Sequence, residues 1–523
     1  MLEIQTPPGC ETERAYILAV LLDDWLGLPY CLTQAERDDV SIRLTDQPGD
    51  LRLPDSFFSQ FRQAPEAWLS EPSLPALTPA GQLPSWDSRA LAPDILLTDP
   101  RLPILYGDAD TSPGPGRAAE QSDRIDMPLD VFGAAFFMLS RYEEAVLPDR
   151  DNHERFPATA SLAQRAGFLD RPIIDEYVET LWAAMQRRWP RLQRKPRHAR
   201  TLVSCDVDSP FAFNAGSGLR ERLATEEHGR TRKGQEAPFP CSSVFFRGKT
   251  TAASGYRLAR GLAADLLKRR SPRLAGRNLR GQWRARRGDH SLDPHRLGLE
   301  HIMDLNDRAG RAVAFYFIPE NTHPKLDNRV SLDDPRLRAL LRQIHARGHE
   351  IGLHPGYNSY RHPEAMARSV ATLRRVLDEE GIDQPQLGGR QHYLRWETPT
   401  TARLWDDNGL DYDSTLSYAD RPGFRCGTCR EYSLYDLQQR RPLRLRERPL
   451  IVMECSVIAE RYLGLGYSDQ ALALMQRYRD TCQRFGGDFT LLWHNSHLGS
   501  EADRRFYAAL VGENAADVAS LTH

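Results

Sequence analysis

The chain has 523 residues, of which 40% are hydrophobic, and it carries a formal net charge of −2 at pH 7. This length exceeds one ordinary domain, and the apolar content supports packed cores rather than global disorder. The near-neutral charge gives the chain as a whole no strong attraction to nucleic acids or to membrane surfaces.

The amino terminus and the cysteines predict a cytoplasmic protein. The start, Met1 to Pro8, is acidic and interrupted by proline, which is not typical of a secretory signal. No run of about 18 apolar residues predicts a transmembrane helix. The eight cysteines are scattered, with one close pair, Cys426 and Cys429. That pair could be redox-active or half of a zinc site, but without a second close pair we expect a loop near the functional site.

Residues 1–198 are predicted to form an accessory α/β or α+β region. Proline and glycine are frequent over 63–120, which indicates turns and short strands such as 94–97 and 102–106. An apolar run between Pro128 and Tyr142 predicts a buried helix, and a second helix is expected over about 173–188. The cluster of Arg141, Glu143 and Glu144 is interpreted as a salt-bridged structural corner. The polar, basic string 191–198 marks the predicted domain boundary.

Residues 199–500 alternate between strand and helix patterns, and residues 501–523 are predicted to form a helix or tail. Strands are predicted at 201–206, 312–318, 349–354, 386–390, 411–414, 450–456 and 488–494. Helices are predicted at 293–309, 334–347, 363–380, 399–408 and 468–485. This alternation is typical of parallel strands with helical crossovers, and seven strands suggest a closed or nearly closed barrel. Sites in such folds lie at the carboxyl ends of the strands.

A basic segment, 257–287, interrupts the alternation with many arginines and few acids. It is interpreted as a solvated basic helical insertion, or as a contact with an anionic surface such as phospholipid or the pyrophosphate of a carrier. No recognised nucleic-acid motif accompanies the charge, so nucleic-acid binding is not expected.

Two carboxylates, Asp206 and Asp208, end the first strand of the predicted barrel. Side chains alternate across a strand, so both point to the same side. Adjacent acids repel each other, and a metal ion that binds one of them leaves the other as a base. The alternative is a solvated turn or a helix N-cap, because Asp-Ser-Pro also begins helices.

The segment Gly348 to Ser359 contains the next candidates. On the predicted strand His349 and His354 are an odd number of positions apart, so they face opposite sides. His354 lies at the carboxyl end and is the first-choice metal ligand, with Asn358 a possible neighbour one helical turn later. The alternative for His354 is a core or loop histidine with ordinary hydrogen bonds.

Five motifs follow one another along the chain: Asp206-x-Asp208, Gly348 to His354, a strand ending in Arg390, Asp411 to Ser414, and Leu491 to His494. In this order they resemble the polysaccharide deacetylases of the NodB type, carbohydrate esterase family 4, over residues about 199–500. The upstream run 139–144 and the segment 423–429 resemble a bacterial subgroup found among genes for O-antigen and other surface polysaccharides.

The resemblance implies a distorted (β/α) barrel and a divalent metal, usually zinc, with cobalt, nickel or iron as alternatives. It makes Asp206 the general base and makes Asp208 and His354 metal ligands. The family's third ligand is a histidine four residues after His354, where this chain has Asn358. An amide oxygen is a weaker zinc ligand than an imidazole, and His392 from the next strand end could fill the place.

His494 matches the family's general acid, and Arg390 and Asp413 match the residues that orient base and acid. The implied function is removal of an N-acetyl group from a nucleotide-linked or lipid-linked amino sugar in the cytoplasm. One alternative is hydrolysis of another C–N bond, in a cyclic amide or a formamide. The other is a degenerate barrel that binds saccharide or scaffolds other enzymes.

Overall fold

The structure is a computed structural model that describes residues 1–79, 81–108, 123–213 and 272–512. In the amino-terminal part it contains β1 (Leu2–Thr6), β2 (Tyr30–Gln34), β3 (Asp39–Leu44), β4 (Asp50–Pro54), β5 (Ser85–Asp87), β6 (Arg101–Pro103) and β7 (Arg124–Asp126). Five of them form one sheet in the order β2-β1-β3-β4-β7, and β5 pairs with β6. In β1 the buried Leu2 and Ile4 alternate with the exposed Glu3, as expected for a strand with one face on the core. The domain limits at 198 and 500 remain predictions.

Helices cover this sheet and lead into the second part of the chain. They are α1 (Glu11–Leu18), which continues into a π-helical stretch Ala19–Trp25, α2 (Val131–Leu139), α3 (Tyr142–Val146), α4 (Leu162–Arg165) and α5 (Ile173–Arg188). The helix predicted over 173–188 is confirmed. The helix predicted between Pro128 and Tyr142 is confirmed as α2, and Arg141, with a left-handed φ of 57°, separates it from α3.

The strand predicted at 94–97 was wrong, and the one at 102–106 is reduced to β6. Residues 94–97 run between Pro93 and Pro100, and the next backbone N–H, that of Thr98, donates to the Glu176 side chain on α5. A side chain therefore provides the partner that a neighbouring strand would otherwise supply.

Over the described residues 200–213 and 272–512, the second part contains a sheet of nine strands rather than the expected seven or so. They are β8 (Arg200–Val207), β9 (Val313–Phe317), β10 (Glu350–Leu353), β11 (Gly388–Gly389), β12 (Tyr412–Asp413), β13 (Tyr432–Asp436), β14 (Arg441–Glu447), β15 (Val452–Met453) and β16 (Asp488–Leu492). Their order is β13-β14-β12-β11-β10-β9-β8-β16-β15. Within the described residues the edge strands β13 and β15 do not pair with each other, so the sheet is a curled half-barrel and not a closed barrel.

All seven predicted strands occur, and the difference comes from the antiparallel pair β13 and β14. In β14 the buried Leu443 and Leu445 alternate with arginines, which is the period-two pattern of a strand with one polar face, so a signal for this strand was present. The parallel strands were easier to recognise, because burial on both faces requires long apolar runs such as Phe489 to Leu492 in β16.

Helices fill the crossovers of this sheet. They are α6 (Pro272–Ala285), α7 (Pro294–Arg308), α8 (Pro335–Ala346), α9 (Pro363–Glu379), α10 (Thr400–Asp407), α11 (Glu454–Ile458), α12 (Asp469–Arg484) and α13 (Glu501–Val511). The five predicted helices correspond to α7 to α10 and α12. Asp293 and Asp334 cap α7 and α8 through side-chain oxygens that accept backbone N–H groups, and proline follows each cap. None of the helices in the described ranges is long and apolar enough to span a bilayer.

The loop with Cys426 and Cys429 was expected near the functional site. The structure instead places it against α5. Both thiols are free and buried. The backbone N–H of Cys429 donates to Asp175 on α5, and Gly427 lies against Ile173 and Ile174. The loop therefore packs the second part of the chain onto α5.

A buried ion network joins the two parts of the chain. Glu144 of α3 accepts hydrogen bonds from Arg425 at 2.8 and 2.6 Å and from Arg141 at 3.0 and 2.8 Å. Burial opposes ionisation of Glu144, but the two guanidinium groups outweigh it and lower its pKa to about 2. The predicted salt-bridged corner thus extends across the interface.

Replacing Glu144 with Gln would leave two buried guanidinium groups with one fewer carboxylate. We expect the free energy of unfolding to fall by about 3–5 kcal/mol in urea titrations of the full chain. The matched control is Glu379→Gln, which removes a surface partner of Arg338 and Arg375 and should cost less than about 1 kcal/mol.

The same variant tests the pH dependence. The pKa of Glu144 is lower in the folded state than in the unfolded state. Its contribution to the free energy of unfolding is therefore fully present above the unfolded pKa of about 4.3 and is lost as the pH falls toward about 2. The wild type should therefore lose more stability over that interval than Glu144→Gln. Parallel pH profiles would contradict this role.

Candidate active site

Four strand ends bring the candidate residues together at one edge of the half-barrel. Asp208 follows β8, His354 follows β10, His392 lies three residues after β11, and His494 follows β16. The strands β16, β8, β9, β10 and β11 are parallel neighbours, so their carboxyl ends lie at the same edge. This is the edge at which sites form in such folds.

Asp208, His354 and His392 form a compact group that fits a divalent metal. Asp208 Oδ1 lies 3.3 Å from His354 Nε2 and 3.5 Å from His392 Nε2. One ligand atom from each residue lies within 4.8 Å of those of the other two. Asp208 Oδ1 and His392 Nε2 are buried and make no hydrogen bond of good geometry. One carboxylate and two imidazoles are a ligand set that zinc accepts, and the buried, unpaired atoms have a partner when a cation binds.

Both imidazoles are held by a second hydrogen bond. His354 Nδ1 donates to the Arg390 carbonyl oxygen at 2.5 Å, and His392 Nδ1 lies 2.8 Å from Asp327 Oδ1. Each bond directs the ring's Nε2 toward Asp208. Asp327 itself is fixed by the backbone N–H groups of Thr322 and Tyr357.

Asn358 does not join this group, which corrects its assignment as a candidate ligand. Its Nδ2 donates to the Thr322 carbonyl oxygen at 2.9 Å, and its Oδ1 accepts from Arg395 at 3.3 Å. Residues 359–361 form a short 3-10 turn, so the side chain is not returned to the face of His354 as an α-helical turn would do. His392 lies where a third ligand is needed.

Asp206 is placed to act as a base beside this group. Its Oδ1 accepts from Arg390 Nη1 at 2.7 Å, and its Oδ2 lies 3.8 Å from His354 Nε2. Arg390 is fully buried and also donates to the Ser414 carbonyl oxygen at 2.7 Å. The guanidinium therefore fixes one oxygen of Asp206 and leaves the other directed to the site.

His494 lies near the other carboxylate oxygen of Asp208. Its Nε2 is 3.8 Å from Asp208 Oδ2, and its Nδ1 is 2.6 Å from Glu454 Oε1. Burial alone would lower the pKa of His494, but the Glu454 carboxylate, with Asp208 and Asp206, raises that pKa to about 10. The imidazole is thus held protonated and ready to donate. His497 Nδ1 also contacts Glu454 Oε1, at 2.9 Å.

Asp413, expected to orient the acid, is engaged elsewhere. It accepts from the backbone N–H and the hydroxyl of Thr415 at 2.7 and 2.6 Å, and burial raises its pKa to about 6. Glu454 takes the position beside His494. Glu454 could have been found from the sequence, because it directly follows the apolar run Leu450 to Met453. The predicted strand 450–456 included Glu454 and so did not mark it as a strand end. Asp327 lies in a loop without periodicity and gave no such signal.

The amino-terminal part contributes one wall of the site. A cavity of about 60 Å³ is lined by Asp206, Asp208, His354, His392 and His494, and also by Arg155, Tyr393, Leu394, Met453, Arg461 and Tyr462. Arg155 Nη1 donates to the Tyr393 carbonyl oxygen at 2.9 Å, and Arg395 Nε donates to the His153 carbonyl oxygen at 2.9 Å. Glu154 accepts from the Tyr360 hydroxyl at 2.5 Å. The two arginine bonds hold the segment after His392, where Tyr393 and Leu394 have φ values of 63° and 54°.

Comparisons with known proteins give partial matches. Residues 2–190 match the model of a family of unknown function, DUF7033. No curated protein matches the chain. A crystal structure from Mycobacterium smegmatis, described as a polysaccharide deacetylase, has 16% identity and a TM-score of 0.34, covering 62% of this chain and 87% of its own. The Puue allantoinase structure has 18% identity and a TM-score of 0.27, covering 43% of this chain and 71% of its own. At these TM-scores the functional inference depends on the side chains at the site.

Metal binding tests the ligand group. We expect His354→Ala and His392→Ala to lose the bound metal, because each removes one of three ligands, whereas Asn358→Ala keeps it. Asp327→Asn should weaken the affinity by about 10- to 100-fold, since it loosens His392 without removing it. The measurement is elemental analysis with a competitive zinc titration of purified full-length protein. Loss of metal in Asn358→Ala with retention in His392→Ala would restore Asn358 as the ligand.

Proposed function

We propose that the protein is a metal-dependent hydrolase that removes an N-acetyl group from an amino sugar. The observation that carries the proposal is the arrangement within one cavity. A potential metal-binding group lies between an arginine-held carboxylate, Asp206, and a glutamate-held imidazole, His494. Hydrolysis of an amide needs a base for water and an acid for the leaving nitrogen, and these two side chains supply both.

Asp208, His354 and His392 would hold a divalent cation, with zinc the first choice and cobalt, nickel or iron as alternatives. When bound, such a cation supplies Lewis acidity toward a carbonyl oxygen and lowers the pKa of water.

The remaining steps belong to the protein's own side chains. Asp206 accepts the proton of the attacking water through Oδ2, while Arg390 keeps Oδ1 occupied and the carboxylate oriented. His494 donates its Nε2 proton to the leaving amine, and Glu454 stabilises the protonated ring through Nδ1. Leu394 and Met453 form an apolar wall suited to the methyl of an acetyl group.

The amino sugar is proposed to be nucleotide-linked or lipid-linked. Another C–N bond, in a cyclic amide or a formamide, remains the alternative, and assays on N-acetyl sugars beside small amides separate the two. The scaffold alternative depended on Asn358 in place of a histidine as the third metal ligand. Its support is reduced, because His392 now provides that side chain.

Activity measurements test the roles of the two carboxylates, Asp206 and Glu454. Asp206→Asn should lower kcat by at least about 100-fold, because it removes the proton acceptor but keeps the Arg390 contact. Glu454→Gln should lower kcat and leave KM nearly unchanged, because it affects the proton donor His494 and not the binding of substrate. Both are measured as acetate release from N-acetylated sugar nucleotides, with circular dichroism as the test of folding.

The matched control is Asp413→Asn, the residue that the sequence pointed to instead of Glu454. It should affect kcat less than Glu454→Gln does. A folded Asp206→Asn protein with wild-type turnover would refute the base assignment, and a larger effect at Asp413 would refute the role of Glu454.

A further inference from the structure

The helix α6 packs in an unusual orientation. Its small residues Ala275, Gly281 and Ala285 are buried, whereas Leu279 and Trp283 are 44% and 53% exposed. A surface helix of a globular protein normally shows the opposite arrangement, with its large apolar side chains on the core. Leu279 and Trp283 are four positions apart, so they lie next to each other on the outer face.

The same face is strongly cationic. Residues 272–287 contain no aspartate or glutamate. Arg280, Arg284 and Arg287 are exposed beside the two apolar side chains, and the Arg287 guanidinium lies 3.6 Å from the centre of the Trp283 ring. We call Leu279, Arg280, Trp283, Arg284 and Arg287 the α6 outer face.

The inner side of α6 is fixed to the chain that leaves the active site. A Cβ at Gly281 would lie 2.8 Å from Phe213 Cε2 and 2.9 Å from the Leu292 carbonyl oxygen, so only glycine permits this close approach. Phe213 follows Asp208 by five residues, and its backbone N–H donates to Asp293 at 2.8 Å. The α6 outer face therefore belongs to the same end of the half-barrel as the cavity.

We propose that the α6 outer face docks on a bilayer that contains anionic phospholipid. Tryptophan and leucine insert at the interface between headgroups and acyl chains, and arginines around them are attracted to the negative surface. A second copy of this chain fits less well, because a symmetric contact would place the same arginines against each other. Two apolar side chains are also far less than the area that a stable protein interface buries.

This surface goes beyond the proposed activity and gives it a location. Docking through α6 would bring the cavity edge toward lipid-linked substrates. Binding to vesicles is measured without turnover, so the docking proposal and the proposed function can fail separately.

Vesicle flotation of the full-length protein tests the proposal. The probes are phosphatidylcholine vesicles with and without phosphatidylglycerol. We expect binding only when phosphatidylglycerol is present, with a loss of binding at high salt. Leu279→Ser combined with Trp283→Ser should lower the bound fraction about tenfold, and Arg280→Ser combined with Arg284→Ser should have a similar effect.

The matched control is Leu74→Ser, which changes another exposed leucine, 37% accessible, in the amino-terminal part. It should bind vesicles as the wild type does. The proposal is overturned if the wild type does not float with anionic vesicles, or if the variants of the α6 outer face bind equally well. A dimer in sedimentation velocity that the double apolar variant dissociates would assign the face to a second copy instead.

Discussion

Asp208 lies at the point where four strand ends meet, within 3.8 Å of the imidazoles of His354, His392 and His494. Neighbouring charges are matched in pairs: Arg390 offsets Asp206, and a protonated His494 offsets Glu454. Asp208 has no arginine partner, and its Oδ1 is buried without a hydrogen bond of good geometry. Asp208, His354 and His392 would hold a divalent cation that gives this oxygen a partner, close to both Asp206 and His494.

The amino-terminal part is connected to this arrangement by more than packing. Its loop carrying His153, Glu154 and Arg155 bonds to the segment that follows His392, where the backbone is left-handed at Tyr393 and Leu394. Non-glycine residues adopt that conformation only when their surroundings hold it. The loop thus helps to fix a candidate ligand and also supplies Arg155 to the cavity wall. The buried Glu144 network keeps the two parts in register.

Much of this site could be predicted from the sequence, because charged residues directly after apolar strand runs mark strand ends. Asp206, Asp208, His354 and His494 follow that rule. Asn358 was misplaced because its position depended on a helical turn that the chain does not form. Glu454 was hidden when the strand was extended through it, and Asp327 approaches His392 only through tertiary folding. The pair β13 and β14 was not predicted, although Leu443 and Leu445 alternate with arginines in β14, so the sheet has nine strands where about seven were expected.

X-ray absorption at the zinc edge of the zinc-loaded full-length protein examines the composition of the metal site most directly. The predicted spectrum has two imidazole ligands, with oxygen donors filling the remaining positions and no sulfur. A sulfur scatterer would show that Cys455, which lies beside His497 in the same cavity, binds the metal instead. That result, or a spectrum with fewer than two imidazoles, would contradict a centre built from Asp208, His354 and His392.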